Sequence, residues 1–174
     1  STLPQSDAVA LLRASIGSSD AAMTPAQMCR LMSVIVNGGT LYKGHILYDV
    51  RSFTSGDVVH KTQAEVLSSL PLGEESRHLL IRTLHDMANK NASLTKLASY
   101  LSTEGLTLGC YDTTVPAGTV DENHALLMAF CSPTVGQTGK NSSLCVSVVV
   151  ENGGEYSPAG AIVSAVMGHY YRLP

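Results

Sequence analysis

Ser93-Leu94-Thr95-Lys96 is the one place in the 174-residue chain where a lysine follows a serine by three positions. On a helix that spacing puts both side chains on one face, where an amine can help move the proton of an attacking hydroxyl. So short a pattern also arises by chance, and the plainer reading makes Ser93 a helix N-cap and Lys96 a solvated charge. His78 and His85 lie seven positions apart, hence on one helix face, but no third ligand follows at metal spacing, so no metal is expected. No cofactor is expected either. Asp112, Asp121 and Glu122 read as turn residues flanking strands rather than as a working carboxylate pair. Cys29, Cys110, Cys131 and Cys145 contain no C-x-x-C pair and sit among apolar neighbours, so they read as small hydrophobes. A Cys131–Cys145 bridge between neighbouring strands is the conceivable disulfide.

The bulk composition narrows the partners. A net charge of −3, the absence of a Lys/Arg cluster and only 5% aromatic residues provide no footprint for nucleic acid, which is excluded as a partner. The chain is 44% hydrophobic and only 14% charged, so it either packs a large core or lacks something that should cover it. No signal peptide and no apolar run of membrane-spanning length is visible. The first residue is Ser1 rather than Met, which reads as a processed or excised segment.

Several elements would position these groups. A short helix is expected from Asp7 to Ala14, ended by Gly17. In "MTPAQMCRLMSVIVNGG", Thr24 is the N-cap, Pro25 occupies N1, and Met28, Leu31, Met32, Ile35 and Val36 recur on one face before Gly38-Gly39 stops the helix. The stretch from Thr40 to Gln63 alternates around Ser55-Gly56 and predicts a peripheral hairpin. "PLGEESRHLLIRTLHDMANKN" predicts a helix with Leu79, Leu80, Leu84 and Met87 as its buried stripe, and "SLTKLASYLSTEG" a shorter one. Strands follow at Thr113–Val120, His124–Ser132 and Leu144–Glu151. A closing helix has Ser157 as N-cap and Pro158 at N1, with Ile162, Val163, Val166 and Met167 suited to packing on a sheet. Helices first, then an antiparallel ribbon, then a covering helix is an α+β arrangement, with a sheet of about three strands.

Taken together, the segments resemble one family. "ASIGSSDAAMTPAQMCRLMSVIVNGGTLYKGHIL" is similar to the stretch that reads, in outline, IGQG…TPLQLA…ANGGTLY.PHL in the transpeptidases among penicillin-binding proteins, of the class B, monofunctional type. "HALLMAFCSP" resembles their H-A-W-F-x-G-F-A-P strand, and "LCVSVVVENGGEYSPAGAIVSAVMGHYY" their final strand, turn and C-terminal helix. The order is kept throughout, and the match is looser from Tyr48 to Asp112.

The resemblance implies a single partial transpeptidase-like domain over residues 1–174. Its parts would be N-terminal helices at 1–44, a peripheral hairpin at 45–70, helices at 71–104, and the ribbon with its C-terminal helix at 110–174. It also implies an acyl-serine mechanism built on S-x-x-K, S-x-N and K-T-G motifs, the first two lying upstream of the TPLQLA-like helix. Ser93 follows that helix and so violates the order. No Ser-x-Asn occurs in the chain, and the K-T-G position is assigned to Pro116-Ala117-Gly118. Pro116 removes the ammonium and a ladder N–H, and Ala117 removes a hydroxyl. Gly118 and Thr119 remain as the positional equivalents that would face substrate, Thr119 offering a hydroxyl and a backbone N–H at the oxyanion position. Lys140 reads as a solvated loop residue. His124 matches the family's strand-start His, where a structural hydrogen bond is expected.

The implied substrates are a peptidoglycan stem peptide or a β-lactam, met through a longer parent protein. The implied address is extracytoplasmic, tethered to a membrane by a segment outside this chain. The family's sheet has five strands, two of them from before the nucleophile. The last three alone would leave an unpaired edge and an uncovered face, to be filled by the N-terminal segment of the same protein or by a homodimer partner.

Overall fold

The computed structural model describes residues 23–115, 123–134, 143–154 and 158–173. The expected helix at Asp7–Ala14 lies outside them. The first described helix, α1 (Pro25–Val36), begins as its sequence dictates. Thr24 Oγ1 accepts the Gln27 N–H at 3.3 Å while Gln27 Oε1 accepts the Thr24 N–H at 2.8 Å, a reciprocal cap ahead of Pro25. Met28, Met32 and Val34 are buried, whereas Leu31, expected on the same stripe, is exposed.

After α1 the chain runs out into an arm of two short antiparallel ribbons. β1 (Thr40–Tyr42) pairs with β4 (Val66–Ser69), and farther out β2 (Asp49–Arg51) pairs with β3 (Val58–Lys61) across a turn where Gly56 has φ +75°. The sequence pattern pointed to a hairpin around Ser55-Gly56; the outer ribbon is that hairpin, and β4 was not foreseen. All residues of β3 and β4 are exposed, and Ile46 and Phe53 project fully into solvent.

The body is built on a three-stranded sheet in the order β5 (Leu106–Val115), β6 (His124–Pro133), β7 (Leu144–Val150), antiparallel throughout. β5 begins at Leu106, well before the expected Thr113, because Leu106, Leu108 and Cys110 alternate inward and the ladder to Pro133 holds them there. Three helices, α2 (Glu74–Lys90), α3 (Thr95–Thr103) and α4 (Ala159–Tyr170), complete the described residues. Helix and antiparallel sheet are mixed as the α+β expectation required.

Both faces of the sheet are covered. On one, Leu127, Ala129 and Cys131 of β6 pack with Leu97 and Leu101 of α3 and Met167 of α4. On the other, Phe130 packs with Met32 of α1 and Leu84 of α2. The expected uncovered face is therefore absent among the described residues, because α1 closes it. The edges differ. β5 is flanked by α2, whose His85 Nδ1 lies 2.7 Å from the Leu108 carbonyl. A carbonyl can only accept, so Nδ1 carries the proton and Nε2 accepts from Asn89 Nδ2 at 3.1 Å. β7 pairs with β6 alone among the described residues, leaving its outer edge without a strand.

Two helical stripes are rotated from expectation. Leu79 and Leu80 are exposed while Leu84 and Ala88 are buried; Ile162 and Val166 are exposed while Val163 and Met167 are buried. Each helix carries more apolar residues than one face can bury, and only its docking direction selects which are used.

Candidate functional site

Gly118 and Thr119, with Pro116 and Ala117 before them, lie outside the described residues, as do Asp121, Glu122, Lys140 and Ser157. The frame that leads to them is described. β5 ends at Val115, paired with His124 at the start of β6. The same rim carries the end of β7, where Ala125 pairs with Val150. Beyond it the chain turns back through Asn152, in the left-handed region at φ 53°. The Asn152 N–H donates to His124 Nδ1 at 3.1 Å, and the Gly154 N–H donates to the Asn123 carbonyl at 3.0 Å. His124 thus makes the structural hydrogen bond expected of it, and the Glu151-Asn152-Gly153-Gly154 turn is held against the head of β6.

A second polar group collects where α2, α3, α4 and β5 meet. Asn91, the C-cap of α2, donates from Nδ2 to Asp112 Oδ2 at 2.9 Å, and its Oδ1 accepts the Ser93 N–H at 3.0 Å. Its backbone carbonyl accepts from the N–H groups of Leu94 and Thr95 and from the Thr95 hydroxyl. One asparagine therefore organises the corner between two helices, using the local side chain-to-backbone bonding that suits this residue type. Neither Asn91 nor this role of Asp112 was foreseen. Asp112 lies inside β5 rather than at a turn, and its partner is 21 positions away in sequence. Burial raises its carboxyl above the ordinary range, opposed by the hydrogen bond from Asn91.

Ser93 sits at this corner but not as a cap. The N-cap of α3 is Leu94, with no side-chain cap bond, because Asn91 already supplies the acceptors that a capping serine would. Ser93 instead faces α4, where a β-carbon placed on Gly160 would come within 2.8 Å of Ser93 Cβ. Lys96 is exposed, and no hydrogen bond joins it to Ser93 among the described residues.

His78 stands 3.9 Å from Glu74 on the surface while His85 is spent on Leu108, so the two histidines do not converge. No group of three or more metal-ligating side chains occurs among the described residues. Burial pushes the thiols of Cys110 and Cys131 up to about 12 and about 11, with Asp112 adding to the first and a hydrogen bond from Tyr171 opposing the second. Cys131 pairs with Leu144 and Phe130 with Cys145, so Cys131 and Cys145 point to opposite faces of the sheet. The conceivable bridge between them is ruled out by register.

The family model for the penicillin-binding protein transpeptidase domain matches residues 3–109, well over half the chain. No curated protein sequence matches. Among solved structures, the chain is similar to penicillin-binding protein 2B of Streptococcus pneumoniae strain R6, at 14% identity and a TM-score of 0.58, over 86% of this chain and 25% of that one. The same protein from strain 5204 aligns at 17% identity and a TM-score of 0.56, over 86% of this chain and 23% of the other. At these identities the likeness establishes the fold. The chain spans about a quarter of the length of the structures it matches.

Proposed function

Because the chain belongs to the penicillin-binding protein transpeptidase family, we propose that it is the C-terminal portion of a peptidoglycan-cross-linking transpeptidase that is catalytically silent by itself. The observation that carries this is the family match running through the α1 segment up to Gly109, directly into the β5–β6–β7 sheet. On this reading the nucleophilic S-x-x-K and the S-x-N element belong to another part of the protein. Gly118 and Thr119 stand at the K-T-G position, an assignment that rests on the sequence resemblance, since the family match ends ahead of Pro116. The ligands are a stem peptide or a β-lactam, engaged by the full-length protein. The open edge of β7 accepts a strand from the N-terminal segment of the same protein or from a second copy. The address is extracytoplasmic, with the membrane anchor outside this chain; no described helix is long and apolar enough to cross a membrane.

A second reading is favoured by Pro116-Ala117: a degenerate relative serving as a binding or scaffolding module in cell-wall assembly. Losing the lysine and the hydroxyl would lower catalysis by orders of magnitude, since each such group contributes roughly 10²–10⁴-fold. Intact-mass spectrometry after incubation with a reactive penicillin separates the two. One acyl adduct on the full-length protein and none on this chain supports the transpeptidase reading, and no adduct on either supports the scaffold. An adduct on this chain mapped to Ser93 overturns both.

A further inference from the structure

Helix α1 and the edge strand β7 each bring one cysteine to their shared interface. The Cys29 thiol lies 3.3 Å from the Cys145 backbone carbonyl, across 116 positions of sequence. Because Cys145 is the register partner of Phe130, its side chain projects to the face that α1 covers, where it packs against the cluster of Met32, Leu84 and Phe130. Cys131, one strand over, projects to the opposite face beneath α4. Cys110 is buried on that opposite face as well. Among the described residues, Cys29 and Cys145 are the two cysteines joined by a hydrogen bond, from the thiol of one to the backbone carbonyl of the other. Both are partly buried, and both are free in this structure.

We propose that Cys29 and Cys145 form an intramolecular disulfide that clamps α1 onto the unpaired edge strand. The oxidant is an external disulfide, such as oxidised glutathione or the active-site disulfide of a thiol oxidase. The Cys29 thiolate attacks one of its sulfurs, forming a mixed disulfide and expelling one thiolate. The Cys145 thiolate then attacks Cys29 Sγ and expels the second. The two protein thiols are oxidised by two electrons, the external disulfide is reduced to two thiols, and the two protons pass to the released thiolates. Burial raises the Cys29 thiol and pushes that of Cys145 up to about 12, with the neighbouring Cys29 and Cys131 adding to the latter. Thiolate is therefore scarce in the packed state, and the bond closes slowly, through local opening of α1 or as the α1–β7 contact forms during folding. The clamp fixes the strand whose free edge would receive a partner.

The test needs neither substrate nor nucleophile, so its outcome is independent of the transpeptidase reading. The folded full-length protein is incubated with oxidised glutathione, the remaining thiols are alkylated, and tryptic peptides are mapped without reduction. Cleavage after Arg13, Arg30, Lys140 and Arg172 isolates Cys29 in peptide 14–30 and Cys145 in peptide 141–172, while Cys110 and Cys131 fall together in 97–140. The expected result is a 14–30/141–172 cross-link that is lost in Cys29→Ser and Cys145→Ser and kept in Cys131→Ser. A melting midpoint roughly 5–15 °C higher in the oxidised form accompanies it. Linkage through peptide 97–140, glutathione adducts that never resolve, disulfide-linked dimers, or four thiols surviving oxidation each overturn the proposal. Should a serine variant fail to fold, the wild-type map decides alone.

Discussion

Asn91 Nδ2 donates to Asp112 Oδ2 at 2.9 Å, joining the end of α2 to the middle of β5. The same asparagine satisfies the Ser93 N–H and the first N–H groups of α3, so one side chain and one carbonyl fix the angle between two helices and the sheet. Asn91→Ala removes the donor to a carboxylate and the acceptor for Ser93 together. It is expected to destabilise the protein by about 1–2 kcal/mol at neutral pH, read as a lower urea midpoint with unchanged slope. An unchanged midpoint would show that water replaces both bonds at no cost.

The carboxyl of Asp112 has a raised pKa because burial disfavours its charge. The folded state therefore holds this proton more tightly than the unfolded state. The stability it contributes is complete below the ordinary carboxyl pKa of about 4 and is lost as pH rises through the raised folded value. Asp112→Asn keeps an acceptor oxygen for Asn91 and removes the titration. Its urea midpoint is expected to exceed that of the wild type at pH 7, with the gap closing as the pH falls below the carboxyl range. A gap that widens on acidification would mean the carboxylate is net stabilised where it sits.

Gly109 admits the Phe130 ring against the β5 backbone. A β-carbon there would stand 2.5 Å from Phe130 Cζ and 3.2 Å from Leu84 Cβ. Gly109→Ala is expected to cost about 1–3 kcal/mol through overpacking, and Phe130→Leu in the same chain should recover part of it. Additive losses in the double variant would deny the contact.

Leu84 and Leu79 lie on one helix, 8% and 65% exposed respectively. Leu84→Ala should lose about 2–4 kcal/mol, and Leu79→Ala should stay within about 0.5 kcal/mol. Equal losses in the chain alone would place both leucines in its core.

Much of the architecture was legible in the chain, because its signals are local. Thr24, Pro25 and Gln27 specify the start of α1 through contacts three residues apart, and His124 through Ser132 alternates with the period of a strand. The family was legible for a related reason: its motifs are short runs kept in order. What local signals could not determine was direction. α2 and α4 each carry two candidate apolar stripes, and packing against β5, β6 and β7 buries Leu84 over Leu79 and Val163 over Ile162. The early start of β5 at Leu106 depends on a ladder to Pro133, and the separation of Cys131 from Cys145 depends on which residue faces Phe130. Likewise, Asn91 and Asp112 acquire their roles from an encounter across 21 residues. Face, register and long-range pairing are properties of two segments meeting, which neither segment encodes alone; only the tertiary structure decides them.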